Sequence, residues 1–289
     1  MKSFAGRLAV VTGGGSGMGR ELVMQLAAEG CSVATCDVNP DSVAETARLA
    51  EKVAPAGTRI TTHVCDVSDE DQVLAFRDEV VAQHETDHVN LVFNNAGIGG
   101  GGSFLTTARE EWDRTFGVCW WGVYYCSRAF VPLLVASDDG YLVNTSSVNG
   151  FWALLVPGMP HTAYSAAKFA VKGFSEALLE DFRINAPHVK VAVVMPGHIG
   201  TDIVLNSLAV HADGSDIEAM RPFGDAFRDS APLSAAGAAT IILDGVRAEK
   251  WRILVGDDAE ALDVAVRAEP ERAYGPSGFS LIGGVVTEG

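Results

Sequence analysis

Tyr164 and Lys168 stand four residues apart in a stretch whose apolar spacing predicts a helix over residues 161–184. That spacing puts both side chains on one helix face. A free tyrosine has a pKa near ~10 and is a poor base at neutral pH. A neighbouring ammonium favours the phenolate and lowers an acid's pKa by about 1–3 units. A phenol so placed takes a proton from an alcohol during oxidation and returns it during reduction. The same spacing also describes an ordinary surface pair on a helix. Ser146 and Ser147 end a predicted strand over residues 140–145. A hydroxyl there either donates to a substrate oxygen and steadies a developing alkoxide, or simply caps the strand end.

These groups need a scaffold, and a second cluster of residues indicates which one. Thr12-Gly13-Gly14-Gly15-Ser16-Gly17-Met18-Gly19 lies between an apolar run at 8–12 and a helical run at 19–28. Glycines let the chain turn sharply and let a pyrophosphate approach the backbone. The helix start offers unpaired N–H groups and a partial positive charge. A Gly-rich turn without ligand is the other reading, but a strand before and a helix after favour a dinucleotide. Asp37 ends the second predicted strand (32–36). Its carboxylate either accepts hydrogen bonds from both adenosine ribose hydroxyls or caps its own loop. It also repels a 2′-phosphate. Val38 and Asn39 offer no cation to hold one, and Arg20 opens the first helix instead. The expected cofactor is therefore NAD rather than NADP.

The remaining pattern alternates short apolar runs with amphipathic helices. Strands are expected at 59–65, 89–93, 189–195 and 252–255. Helices are expected at 40–54, 69–83 with Ser68 as N-cap, 109–135 and 235–248. Strands apolar at every position, separated by helices, imply a parallel sheet covered on both faces. The fold expected is α/β: a single-domain, Rossmann-like, doubly wound parallel sheet of about seven strands. Residues 1–269 form the catalytic domain, with a cofactor part at about 1–150 and a substrate part at about 151–269. Residues 270–289 are an unassigned tail, and Asp257, Asp258 and Glu260 read as a solvated turn.

The 289 residues carry a formal net charge of -16, which repels phosphate backbones and anionic lipid heads. Nucleic acid and membrane are not expected partners, and no apolar stretch approaches the roughly 20 residues that span a bilayer. The five cysteines form no C-x-x-C pair, so reduced buried thiols are expected. No signal-peptide core precedes the first strand. A cytoplasmic location follows as an expectation. His84 and His88, four apart, have no third ligand in register, so a solvated helix face is preferred to a metal site, and no metal is expected.

Taken together, the motifs resemble the short-chain dehydrogenase/reductase family. They run in order from the Gly-rich turn through Cys65-Asp66-Val67, Asn94-Asn95-Ala96-Gly97 and Asn144-Thr145-Ser146-Ser147. Tyr164-Ser165-Ala166-Ala167-Lys168 and Pro196-Gly197-His198-Ile199-Gly200-Thr201 complete the set. The resemblance spans about residues 6–201, and more loosely reaches 255. It implies a catalytic Ser147, Tyr164 and Lys168, with Lys168 also holding the nicotinamide ribose. It implies cofactor contacts from Gly13, Gly15, Ser16, Gly17, Met18, Gly19 and Asp37. Asp66 and Val67 would meet the adenine. Asn94 would brace the sheet, with Ala96 and Gly97 alongside; Ile199 and Thr201 would hold the nicotinamide carboxamide, and Pro196 and Gly197 are further cofactor contacts.

Two departures stand out. Cys119 occupies the place where the family usually has an Asn that anchors a relay water, and a thiol is a poorer hydrogen-bonding group than an amide. The segment between Ser147 and Tyr164 is also longer than the family norm. It is almost wholly apolar over residues 151–160, as expected of a wall or lid for a lipophilic substrate, or of a contact between subunits. Trp120, Trp121, Tyr124 and Tyr125 form a band on the fourth helix, which in this family packs between subunits, so a homodimer or homotetramer is expected. His161 and His198 flank motif residues as loop positions or as substrate contacts. The expected activity is an NAD-dependent interconversion of a lipophilic secondary alcohol and a carbonyl. The competing readings are an NADP-dependent 3-oxoacyl-type reductase, an NAD-retaining epimerase or lyase, and a non-catalytic nucleotide-binding scaffold.

Overall fold

A computed structural model describes residues 1–100, 102–154, 160–211, 214–275, 278–282 and 285–288. β1 (Leu8–Thr12) leads through the Gly-rich turn into α1 (Gly17–Ala28). It is followed by β2 (Ser32–Asp37), α2 (Pro40–Glu51), β3 (Ile60–Val64) and α3 (Glu70–His84). β4 (Leu91–Asn94) precedes α4 (Arg109–Phe116), a π-helical turn (Gly117–Trp121) and α5 (Gly122–Val135). Then come β5 (Gly140–Thr145), a 3-10 turn (Val148–Gly150), α6 (Thr162–Asn185) and β6 (Val189–Pro196). The rest holds β7 (Ile199–Gly200), α7 (Ile203–His211), α8 (Gly214–Asp229), β8 (Leu233–Ser234) and α9 (Ala235–Arg247). β9 (Arg252–Val255), α10 (Asp257–Ala268) and a hairpin of β10 (Phe279–Ile282) with β11 (Val285–Glu288) complete it.

Seven strands form one sheet in the order β3-β2-β1-β4-β5-β6-β9. Every pairing in it is parallel. The chain winds outward from β1 in both directions, so the strand order switches between β1 and β4. A crevice opens at the carboxyl ends of strands at such a switch. The parallel sheet is buried on both faces, as the unbroken apolar runs require. Val11, Phe93, Val143 and Val194 pack with Leu22 and Leu26 of α1 and Ile242 and Val246 of α9. Their strand neighbours Val10, Val92, Leu142 and Val191 point the other way, to Phe76 of α3, Phe130 of α5 and Phe182 of α6. Each such side chain contributes about 1.5–3 kcal/mol when fully buried, so the sheet that carries the site is held from both faces.

Several sequence expectations need correction. Asp69, not Ser68, caps α3: its carboxylate accepts from the N–H groups of Asp71 and Gln72 at 3.0 and 3.2 Å. Ser68 instead donates to Asp66 at 2.7 Å. The helix expected over 109–135 is continuous but carries a π-helical turn, where the N–H of Gly122 reaches the carbonyl of Gly117. That continuous stretch, Arg109–Val135, is long and apolar enough to cross a bilayer by length and composition, contrary to the expectation. An average tolerates the Ser, Gly and Tyr that interrupt any strictly apolar run. Half of its most apolar window is buried here, against the sheet and its neighbouring helices. Asp257, Asp258 and Glu260 are the first turn of α10, and Asp258 is buried rather than solvated. The tail expected at 270–289 contains a hairpin, and its Phe279 is buried against Val148 and Trp152. These contacts join residues more than a hundred positions apart, which no local periodicity reveals.

Candidate active site

The Gly-rich turn leaves the carboxyl end of β1 and enters α1 without a capping side chain, so the first N–H groups of α1 face the crevice. Close approach explains the glycines. Gly13 has φ +66°, and a Cβ there would stand 2.8 Å from the Cα of Ala96. A Cβ on Gly19 would overlap the carbonyl of Gly13 and lie 2.6 Å from Nδ2 of Asn95. Asn95 fixes the turn by donating to the carbonyl of Thr12 at 3.1 Å. The Thr12 hydroxyl accepts from the N–H groups of Asn95 and Ala96, each at 3.0 Å.

A cleft of about 590 Å³ lies above this turn. Gly13, Gly15, Ser16, Gly17, Met18 and Gly19 line its middle. At one end stands Asp37, whose two carboxylate oxygens accept from the N–H of Gly15 at 2.9 Å and of Asn39 at 3.0 Å. Each oxygen keeps a lone pair for a ligand. Asp66 and Val67 line the same end. Burial disfavours the Asp66 carboxylate, but bonds from Ser68 and Arg114 outweigh that and hold its carboxyl below the usual range. Arg114 is the one cation among the described residues of the lining, and it pairs with Asp66 at 2.6 Å. Arg20 spends its guanidinium on Thr46 at 3.0 Å and on the carbonyl of Gly15 at 2.5 Å. This arrangement fits an adenosine ribose with free hydroxyls beside Asp37 and a pyrophosphate over the turn.

The other end is marked by Ala96, Gly97 and Thr201. The Lys168 ammonium comes within 3.5 Å of the point where a Cβ on Gly97 would lie. It donates to the carbonyl of Thr145 at 2.9 Å and sits 5.4 Å from the ring centre of Tyr164. One helical turn of α6 carries both, and β5 supplies the carbonyl. The two serines separate by role. Ser146 donates to the carbonyl of Lys168 at 2.7 Å, which ties β5 to α6. The Ser147 oxygen accepts from the N–H of Asn149 at 3.1 Å, so its own O–H is free to donate and bonds the Tyr164 phenol.

The net effect on Tyr164 runs opposite to the sequence expectation. Burial raises the phenol above its ordinary value; the Lys168 ammonium opposes this, Cys119 adds to it, and the Ser147 bond opposes it. Burial prevails, so the ligand-free protein holds a neutral phenol, ready to give up a proton. Cys119 is fully buried, and its thiol donates to the carbonyl of Ile98 at 3.1 Å. It lies inside the π-helical turn, an irregularity that recurs at functional sites.

Other expected residues stand behind the lining. Asn94 points below the floor, donating to Asn144 at 2.8 Å and Ser127 at 3.0 Å. Ile199 turns its side chain into the core. Pro196 ends β6, and Gly197 packs on Asp258. His198 donates to the carbonyl of Phe227 at 2.7 Å, which ties it to α8 rather than to the cleft. His84 bonds Thr61 at 3.0 Å, and burial drives its pKa down to about 4. No metal-holding group occurs among the described residues. All five cysteines are buried and free. The apolar run 151–160 lies partly outside the described residues, at 155–159; Ala153, Leu154 and Pro160 line a second pocket with His161 and Phe169.

Sequence reasoning missed Asn95, Arg114 and Asn206. Asn95 was visible inside its motif. Arg114 is a single cation on a helix, and Asn206 comes from α7, a helix without a sequence signature. Asn206 donates to the Ser16 hydroxyl at 3.0 Å and so reaches the Gly-rich turn from above.

A doubly wound sheet with a Gly-rich turn at its switch point, and a Ser, Tyr and Lys grouped behind Gly97 of the cleft lining, fits a nucleotide-dependent oxidoreductase. Comparison with known proteins narrows the class. The profile of the short chain dehydrogenases matches residues 7–209, and the chain belongs to that family. It is 41% identical over 267 residues to SadH of Mycobacterium tuberculosis, described as an oxidoreductase, covering 92% of each chain. It is 34% identical to human epidermal retinol dehydrogenase 2 over 201 residues, 69% of this chain and 62% of the relative. A short-chain dehydrogenase/reductase of Burkholderia phymatum, solved with NAD, is 29% identical with a TM-score of 0.82, over 96% of this chain and 98% of that one. A metagenomic short-chain oxidoreductase solved with NADP is 26% identical with a TM-score of 0.63, over 87% and 97%. The chain is thus an oxidoreductase that acts on a small molecule with a nicotinamide cofactor.

Proposed function

We propose that the protein interconverts a lipophilic secondary alcohol and a ketone, using NAD(H). The observation that carries the cofactor reading is Asp37. Its carboxylate stands at the ribose end of the cleft; among the described lining residues the one cation, Arg114, is paired with Asp66, and Arg20 beside the turn is held by Thr46 and the carbonyl of Gly15. A 2′-phosphate would meet a negative charge and no free positive one. When bound, the cofactor supplies or accepts the hydride. Tyr164 then carries the proton of the substrate oxygen, Ser147 donates a hydrogen bond to that oxygen, and Lys168 holds the nicotinamide ribose while moderating the phenol. The neutral phenol of the ligand-free state favours proton donation and therefore suits carbonyl reduction.

A lipophilic substrate is supported by the apolar second pocket of about 530 Å³ beside the start of α6, and by the retinol dehydrogenase among the relatives. We further propose a homodimer or homotetramer through the aromatic band, where Trp121 is 42% exposed although Tyr125 stacks on it at 5.8 Å. The test is a panel of ketones of graded chain length with NADH and NADPH, run on wild type and Tyr164→Phe. Turnover should rise with substrate apolarity and vanish in the variant, which should still bind NADH. Undiminished turnover by Tyr164→Phe refutes the assigned acid/base.

A further inference from the structure

Two loops flank the reacting end of the cleft: residues 147–153, which follow β5 and begin with Ser147, and residues 196–201, which follow β6. Both are tied to the same C-terminal elements, which neither the motifs nor the proposed mechanism uses. On the first loop, Asn149 donates its backbone N–H to the Ser147 hydroxyl and its side-chain amide to the carbonyl of Trp152 at 3.0 Å. The Trp152 indole, fully buried, donates to the carbonyl of Ala273 at 2.8 Å. The next N–H, of Ala153, donates to the Tyr274 hydroxyl at 3.0 Å. Around the indole pack Ala259 and Leu262 of α10, Ala273 and Phe279. A chain of direct contacts therefore runs from the Ser147 hydroxyl to residues 273–274.

On the second loop, the anchor is Asp258 in the first turn of α10. Its buried carboxylate accepts from the N–H of His198 at 2.7 Å and of Ala259 at 2.9 Å. No cation balances it among the described residues. Gly197 lies so close beneath it that a Cβ there would overlap the carboxylate. The N–H of Gly197 also reaches the carbonyl of Val255 at 3.0 Å. The position of residues 196–198, and through them of Thr201 on the cleft lining, is set by where α10 begins.

We propose that α10 and residues 270–274 act as a clamp that fixes the Ser147 loop and the Thr201 segment relative to each other, with Trp152 and Asp258 as positioning residues. The inference rests on the oxidoreductase reading for its catalytic consequence, though not for the clamp itself. Reacting groups must be held within a narrow geometry, and a displacement of about 1 Å costs up to about 100-fold in rate. The two arms act on different steps. Loosening the Ser147 arm disturbs the hydroxyl that meets the substrate oxygen; loosening the Asp258 arm disturbs the segment facing the cofactor.

The test compares Trp152→Phe, Tyr274→Phe and Asp258→Asn with wild type. Tyr274 is 49% exposed, so removal of its hydroxyl leaves the core intact and covers the case in which Trp152→Phe fails to fold. Amide hydrogen exchange of the ligand-free protein should quicken about fivefold in residues 147–153 for the first two variants, the equivalent of one lost hydrogen bond. Residues 196–201 should respond in the third, and β1 and β4 in none. With cofactor and ketone, the first two variants should lose about tenfold in kcat with NADH affinity unchanged, and Asp258→Asn should weaken NADH binding about tenfold. Unchanged exchange and kinetics would overturn the clamp. So would faster exchange throughout the sheet with kcat and NADH affinity falling together, which marks ordinary core residues. If wild type reduces no ketone, the proposed alcohol/ketone reading fails, and local exchange alone decides the clamp.

Discussion

Asp37→Asn isolates the charge that should set cofactor choice. The substitution keeps the shape and one acceptor oxygen but places an amide nitrogen against the N–H of Gly15 or Asn39, which now lie 2.9 and 3.0 Å from the carboxylate. A hydrogen bond to a charged group contributes about 1.5–3 kcal/mol. Losing the charge and one of two ribose bonds should cost NADH about 1.4 kcal/mol, a tenfold rise in Kd. For NADPH the change has the opposite sign. A carboxylate at roughly 5 Å from a phosphate costs about 1–3 kcal/mol per unit charge for effective dielectrics between that of water and 20. Relief of that repulsion should lower the NADPH Kd about tenfold, so the preference ratio moves about 100-fold. The assay is fluorescence titration of the bound nicotinamide with both cofactors, beside thermal unfolding to register damage to the turn. A lower Tm with both affinities falling in parallel, or a ratio within threefold of wild type, would refute the reasoning, because either result makes Asp37 a loop cap and nothing more.

Other expectations follow from particular contacts. Gly19→Ala must displace the turn from the Gly13 carbonyl and Asn95; it should cost about 1–3 kcal/mol of stability and remove detectable NADH binding, and wild-type affinity in titration would show the approach to be looser than drawn. Cys119→Asn keeps a donor for the carbonyl of Ile98; turnover in a ketone assay should equal or exceed wild type, whereas collapse in a folded protein would give the thiol a role of its own. His84 has its pKa depressed from 6.5 to about 4, chiefly by burial. The unfolded chain therefore binds the extra proton first: His84 costs nothing above pH 6.5, and the cost grows as pH falls towards 4. Discounted for its partial exposure, the loss is about 1 kcal/mol. Urea unfolding of His84→Gln at pH 7 and pH 5 should show a smaller drop than wild type; equal drops would remove His84 from the acid response.

The half of the molecule that holds the dinucleotide was legible because its rules are local. A strand buried on both faces must be apolar at every position, as in β1, and a turn that lets backbone approach backbone must be glycine, as at Gly13 and Gly19. The elements from α7 onwards were not. α8 contains Pro222, a residue that ordinarily marks a helix end, and α7 is mostly apolar, with Asn206 and Ser207 side by side rather than on a regular polar face. Asp258 was misread because three acidic residues within four positions usually face water; here the first turn of α10 buries Asp258 beneath two backbone donors. Trp152 gave no signal because its partners, Ala273 and Phe279, lie more than a hundred residues away.

The opposite ends of the cleft fail in different ways when read from sequence. At the ribose end, recognition depends on a charge and on backbone shape, and both are written in residue type. At the reacting end, what matters is a balance. Tyr164 four residues before Lys168 predicts a lowered phenol, since an ammonium favours the phenolate. Burial against the second core layer raises it by more, and the thiol of Cys119 adds to that side. The sign of the result depends on how deeply α6 is packed, which is a property of Ile98, Val118, Phe182 and the helices around them rather than of the motif. A phenol held neutral keeps its proton until the substrate oxygen demands it. On the proposed mechanism the proton resides on the enzyme in the direction of reduction, and the alkaline limb of a rate profile for reduction, not for oxidation, should report the Tyr164 ionisation.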